Sequence, residues 1–170
     1  QDLEKMLIAI YDEQYLVDTR YFIKDSNYLV YSAKLNCSCG SKPVYLKLEG
    51  KVDLYTGKKV IGHGITINGL PAANCLDAKP DVNIEPFDQC SLSSMGALCV
   101  TIRNLEASWT TSNDNINIGG KKGITKSSVL RCNPVSSNEN IVGTGIISAE
   151  DSGQMNLYQL IEDYRVDYNA

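Results

Sequence analysis

The chain has 170 residues, with 16 Lys and Arg against 20 Asp and Glu for a formal net charge of −4. The charges are scattered, so no basic stripe exists to track a phosphate backbone or an anionic membrane surface. The length suits one domain with a small appendage and allows a core without covalent staples.

In chain order, "DLEKMLIAIYDEQYLVD" places Leu3, Met6, Leu7 and Ile10 at i, i+3, i+4 and i+7 behind Asp2 as N-cap. This spacing predicts an amphipathic helix over about residues 3–17. Its apolar run at 6–11 is too short, and too closely flanked by acids, for a signal peptide or a membrane span. From Tyr28, "YLVYSAKLNC" alternates and is rich in Tyr, Val and Leu, which predicts a strand. If that strand continued through "KLNCSCGSKP", Cys37 and Cys39 would face the same way. Two thiols that close along the chain do not bridge each other comfortably, so a partner has to come from elsewhere.

Between 40 and 147 Gly, Asn, Ser and Pro recur at short intervals with no long 3.6-residue period, which predicts short strands and tight turns. "ITINGLPA" at 65–72 and "INIGGKKG" at 116–123 each run Ile-x-Ile into Asn-Gly or Gly-Gly, the dipeptides of tight hairpin turns. Each precedes a cysteine, Cys75 or Cys132. The pair reads either as a weak internal repeat or as two unrelated hairpins. "CLDAKPDVNIEPFDQCSLSSMGALC" reads as a loop packed by its own contacts and carries Cys75, Cys90 and Cys99. After Asp151 the helical spacing returns at Leu157, Leu160, Ile161 and Tyr164, with Asp151 and Gln154 placed as a capping box.

Catalytic chemistry finds little to stand on. The single histidine, His63, sits between glycines in a turn, and no nucleophile elbow, S-x-x-K motif or P-loop ending is present. Carboxylate pairs such as Asp77 with Asp81 or Glu85 with Asp88 are expected by chance among twenty acids. The expectation is a protein that is not an enzyme. The six cysteines offer a tetrahedral thiolate site, but no C-x₂-C knuckle occurs. Metal ligation, buried free thiols and three disulfides all remain open on spacing alone.

The cysteines sit inside longer phrases. "AKLNCSCGSKP", "ITINGLPAANCLDAKPDVNIEPFDQCSLS", "ASW" and "INIGGKKGITKSSVLRC" occur in that order. Together they resemble the PAAR-like spike-tip family of contractile injection and type VI secretion systems, over about residues 28–147. The resemblance implies a mainly β protein: a short cone of β-hairpins over 28–147, an N-terminal helical extension over 1–27 and a C-terminal extension over 148–170 with a further helix. It selects Cys37, Cys90, Cys99 and Cys132 as ligands of one structural metal ion, with zinc the first choice and iron the alternative. Cys39 and Cys75 fall on variable positions, which makes Cys39 a free, packed thiol.

The partner implied is a trimeric VgrG-like spike whose β-helix the domain caps, with no nucleic acid and with membrane only as a target to be pierced. Assembly in the bacterial cytoplasm would precede export at the tip of the apparatus. The stripe of Leu3, Met6, Leu7 and Ile10 lies outside the cone and is expected to recruit cargo or another spike component. A secreted, disulfide-stabilised binding or toxin module is the alternative. Three departures from the family pattern stand out: Asp88 replaces a glycine, Ser94-Met95 replaces Asn-Pro, and the Gly-Gly pair after Cys132 is missing.

Overall fold

The structure is a computed structural model that describes residues 27–154. The helix predicted over 3–17, with Leu3, Met6, Leu7 and Ile10, and the helical pattern from Leu157 onward lie outside the described residues. The fold is mainly β. Along the chain, β1 (Lys34–Cys37) and β2 (Val44–Tyr45) are followed by the hairpins β3 (Gly50–Val52) with β4 (Lys59–Ile61) and β5 (Thr66–Ile67) with β6 (Leu70–Pro71). Then come one helical turn, α1 (Cys99–Ile102), a third hairpin of β7 (Asn117–Ile118) with β8 (Lys121–Lys122), and β9 (Leu130–Cys132) and β10 (Gly145–Asp151). Among the described residues no helix is long and apolar enough to cross a membrane.

The largest sheet is antiparallel with order β2–β1–β10–β9. Opposed residues share a face and alternate along each strand. Pairings of Leu35 with Val44 and Ala149, of Ile147 with Cys37 and Leu130, and of Gly145 with Cys132 therefore put one set of residues inward. Leu35, Leu130 and Ile147 on that face are wholly buried, each contributing about 1.5–3 kcal/mol relative to exposure. On the opposite face Glu150 meets Lys34 at 3.0 Å and accepts from Asn36 at 3.2 Å.

Four expectations change here. The strand predicted from Tyr28 is interrupted: Ser32 takes a φ of 72° and Ala33 N–H bonds back to Val30, so only 34–37 joins the sheet. The sheet also runs past residue 147, where the C-terminal extension was expected to begin, because β10 pairs with β1 as far as Asp151. Gln154, expected to cap a helix with Asp151, instead donates its side chain to Tyr28 O at 2.7 Å and accepts from Asn68 at 2.7 Å. The 75–99 loop does not pack on itself alone. Its Ile84 and Phe87 enter the main core, and Asn83 donates to Lys47 O at 2.9 Å.

The two Ile-x-Ile hairpins are a structural repeat offset by 51 positions. Ile67 pairs with Leu70 as Ile118 pairs with Lys121, and both isoleucines are buried in one cluster with Val30 and Ala72. The bonds that close each unit match in turn. Ala72 N–H reaches Ile65 O and Gly123 N–H reaches Ile116 O. Asn74 N–H is held by Asp77 Oδ2 at 2.8 Å, and Thr125 N–H by Ser128 Oγ at 3.0 Å. In this register Cys75 corresponds to Lys126, so the cysteines that follow the two hairpins are not equivalents.

Both turns need positive φ: Asn68 at 51° with Gly69 at 80°, and Gly119 at 65° with Gly120 at 88°, the mirror-image turns that fit strand twist. A Cβ on Gly120 would meet nothing, whereas one on Gly119 would lie 2.7 Å from His63 Cβ. Gly120→Ala should therefore cost about 1–2 kcal/mol from backbone strain alone, and Gly119→Ala more. Urea unfolding of the two variants measures the difference.

Candidate metal centre

The sheet register positions the first two candidate thiols. Cys37 ends β1 opposite Ile147, and Cys132 ends β9 opposite Gly145, two residues along the same strand. Both thiols thus lie on the inward face and flank β10 diagonally. Gly145 keeps the gap between them open. A Cβ there would stand 2.9 Å from Cys37 Sγ and 3.8 Å from Cys132 Cβ.

Short bridges bring the other sulfurs in. Gly40 bridges to Cys90, Gln89 to Leu98 beside Cys99, and Leu105 to Cys132. Cys99 is further held by its N–H donating to Asp88 O at 2.6 Å. Asp88 itself has a φ of 67°, which explains why glycine was expected there. Aspartate tolerates this left-handed region better than most residues, and its Oδ2 accepts from Ser41 at 2.7 Å. After Cys132, Gly143 takes a φ of 125°. The intervening loop is pinned by Glu139, which accepts from Ser93 Oγ at 2.5 Å and Ser94 N–H at 3.0 Å.

Cys37, Cys90, Cys99 and Cys132 line one cavity of about 20 Å³, walled by Phe87, Ile102, Leu105 and Ile147. The strand reading of "CSC" needs correction: β1 stops at Cys37, and a turn closed by Gly40 N–H on Cys37 O carries Cys39 round to the same cavity. Cys75 lies elsewhere, half-buried against the main core, with its carbonyl accepting from Trp109 N–H at 2.9 Å. All six cysteines are free thiols.

Sulfur is a donor type that suits soft cations. A space of about 10–15 Å³ holds one water-sized guest, but a water needs polar partners, and sulfur is a weak acceptor. Backbone donors already point at the sulfurs: Asn104 N–H at 3.3 Å from Cys132 Sγ, Cys39 and Gly40 N–H at Cys37, and Phe87 N–H at Cys99. Such donors favour a thiolate. Among the described residues no group of three or more His, Cys, Asp or Glu is gathered tightly enough to hold an ion as it stands. Five thiols, those of Cys37, Cys39, Cys90, Cys99 and Cys132, share the wall of this cavity.

Burial pushes the Cys37 thiol up to about 11, with Cys39 and Cys132 adding to the rise. Burial likewise raises Cys99, with Arg103 opposing, and raises Cys132.

Other candidate chemistry is accounted for separately. His63 Nε2 meets Asp77 Oδ2 at 2.8 Å, and the imidazole fills the space a side chain at 119 would need. The carboxylates noted as pairs each have their own partner: Asp81 bonds Arg103 at 2.7 Å, Glu85 bonds Lys47 at 2.6 Å, and Asp88 takes Ser41. Gly145 was missed by sequence reasoning, and Gly40 entered it only as part of the phrase around Cys37. A Cβ on Gly40 would strike Phe87 Cβ at 2.5 Å, and only the glycine-flanked "VGTGI" hinted at the former.

Two outcomes follow from this geometry. Gly145→Ala drives a methyl against Cys37 Sγ and should destabilise the fold by about 1–3 kcal/mol, read by urea denaturation. In the reduced, metal-free protein, unfolded Cys37 ionises near 9.0 and folded Cys37 near 11. The unfolded state loses its proton first, so stability should fall as pH rises from about 9 to about 11. Unfolding midpoints across that range, compared with Cys37→Ser, should show a shallower fall in the variant.

The family described as "Domain of unknown function (DUF4280)" matches residues 29–154. No curated protein and no solved structure matches the chain. The matched span holds the whole sheet, both repeat hairpins and all six cysteines, and the chain belongs to the DUF4280 family.

Proposed function

We propose that this protein is a PAAR-like spike tip of a type VI or related contractile secretion apparatus, capping a trimeric VgrG-like β-helix. One observation carries the reading. Cys37, Cys90, Cys99 and Cys132, the four sulfurs that the resemblance selects, come from separate segments and line one small apolar cavity together with Cys39, while Cys75 does not. In this reading they hold one metal ion, zinc in preference to iron, since thiolates suit both and a closed four-sulfur site suits structural zinc best. The ion supplies a cross-link and no turnover.

The strands are two to seven residues long, and short hairpins are marginal alone. A cation joining β1, β9 and the loop segments at Cys90 and Cys99 would add folding free energy where ladder bonds are few. That suits a tip that must bear load without shearing. Outside the described residues, the stripe of Leu3, Met6, Leu7 and Ile10 is assigned to cargo or another spike component.

Elemental analysis with thiol counting tests the site. One zinc per chain is expected, lost in Cys37→Ser, Cys90→Ser, Cys99→Ser and Cys132→Ser but kept in Cys75→Ser, with chelator lowering the melting temperature. Three disulfides and no metal would overturn the reading. Capture by an immobilised trimeric spike protein tests the partner: the full chain and its Leu7→Asp/Ile10→Asp variant should bind alike, with only cargo capture lost in the variant. Absence of spike binding by the intact chain rejects the tip assignment.

A further inference from the structure

The β3–β4 hairpin is a two-stranded sheet of its own. All six of its strand residues are exposed, so the core covers neither face. Its tip is apolar: Leu54 is 95% and Tyr55 100% exposed, with Val52 at 63% just behind them. The turn satisfies its own backbone. Asp53 N–H donates to Lys58 O and Gly57 N–H to Asp53 O, each at 2.8 Å. Asp53 Oδ1 accepts from Tyr55 N–H at 2.8 Å and Thr56 N–H at 3.4 Å, and Thr56 Oγ1 accepts from Lys58 N–H at 3.3 Å.

Charge is arranged around that tip. The whole chain is acidic at −4, yet residues 51–59 carry Lys51, Lys58 and Lys59 against Asp53 alone. Asp53 turns its carboxylate onto the N–H groups of the turn, so the basic groups dominate what the hairpin presents. Lys59 lies back across Gly50, its Nζ 3.3 Å from where a Cβ there would stand. Its ammonium is thereby set behind the apolar end. At about 3.3 Å per residue, Leu54 reaches roughly 10 Å beyond Lys51.

From this arrangement we infer that the β3–β4 tip inserts into the interfacial layer of an anionic lipid bilayer. Leu54 and Tyr55 enter the boundary between headgroups and acyl chains, and Lys51, Lys58 and Lys59 meet the lipid phosphates and carboxylates. Interfacial segments sink by about 5–10 Å, which matches the step from tip to lysines. Tyrosine suits that layer because one end is apolar and the other wet. A turn that bonds its own N–H groups leaves few to be stripped of water on entry. Two tip side chains offer far less area than the about 800 Å² per partner of a stable protein contact, whereas lipid sets no such minimum. The inference depends on neither the metal nor the spike.

The test is sedimentation of the full chain with vesicles of phosphatidylcholine alone or mixed with phosphatidylserine. The parent should favour the mixed vesicles and lose that preference as salt is raised. Leu54→Ser/Tyr55→Ser should lower partition on the order of tenfold. Lys51→Gln/Lys58→Gln/Lys59→Gln should abolish the preference for phosphatidylserine. Both variants should keep the parent urea midpoint, since the altered side chains are exposed. In Tyr55→Trp, lipids brominated on the acyl chain should quench the new fluorescence, with buried Trp109 as the shielded background. Equal partition of the parent into both vesicles, partition unchanged in Leu54→Ser/Tyr55→Ser, or no quenching in Tyr55→Trp overturns the inference. So does a parent that ignores vesicles while Leu54→Ser/Tyr55→Ser loses capture by the immobilised spike protein, which would assign the tip to a protein partner.

Discussion

The arrangement depends on one register. β10 lies between β1 and β9 so that Ile147 faces Cys37 and Gly145 faces Cys132. A slip of one residue on either side would turn a sulfur to the outer face, since side chains alternate with period two. The register is held on both faces: inside by Leu35, Leu130 and Ile147, wholly buried, and outside by Glu150 tying Lys34 and Asn36. Glycine between the two sulfurs is part of the same constraint, because any larger residue would fill the gap that the register creates.

Around that sheet, backbone bonds in turns and side chains bonded to backbone tie together segments that short ladders do not reach. Asn74 Nδ2 reaches Ile118 O at 2.9 Å and so ties the second repeat hairpin to the first unit. Asn115 Nδ2 reaches Gly123 O at 2.8 Å, and Trp109 Nε1 donates to Asp77 O at 2.9 Å. Asn74, Asn115 and Trp109 are buried, where an unmet donor would cost more than a formed bond gains. A protein of short strands thus satisfies its interior polar groups with Asn, Asp and Ser, which explains the loop-like composition of a well-packed chain.

What could be read from the residues was local. Asn68-Gly69 and Gly119-Gly120 announce their turns because only a few residue types accept positive φ. The mainly β class followed from the same punctuation. Longer phrases, not spacing, singled out Cys37, Cys90, Cys99 and Cys132, and they left out Cys39, which lines the same cavity. Cys39 was read as strand because alternation carries no mark of where a strand stops, and the turn at Ser38–Gly40 depends on Gly40 packing against Phe87. β10 was illegible for another reason: "GIISAED" is weakly patterned, and both its neighbours are distant or short in sequence. The 51-residue repeat was visible at the hairpins but not beyond, since Asn74 and Asp77 are matched by Thr125 and Ser128, different side chains making the same bonds.

The place of β10 in the chain also sets an order of events during synthesis. Cys37 leaves the ribosome long before Gly145, and its sheet partner does not exist until the last strand of the described residues has emerged. Long-range pairing of this kind forms late because closure entropy must be met first. Until then the five sulfurs now gathered at the cavity are distributed along an incomplete chain, open to premature oxidation or to ions bound in pairs. A nascent protein built this way benefits from a reducing environment until β10 has emerged.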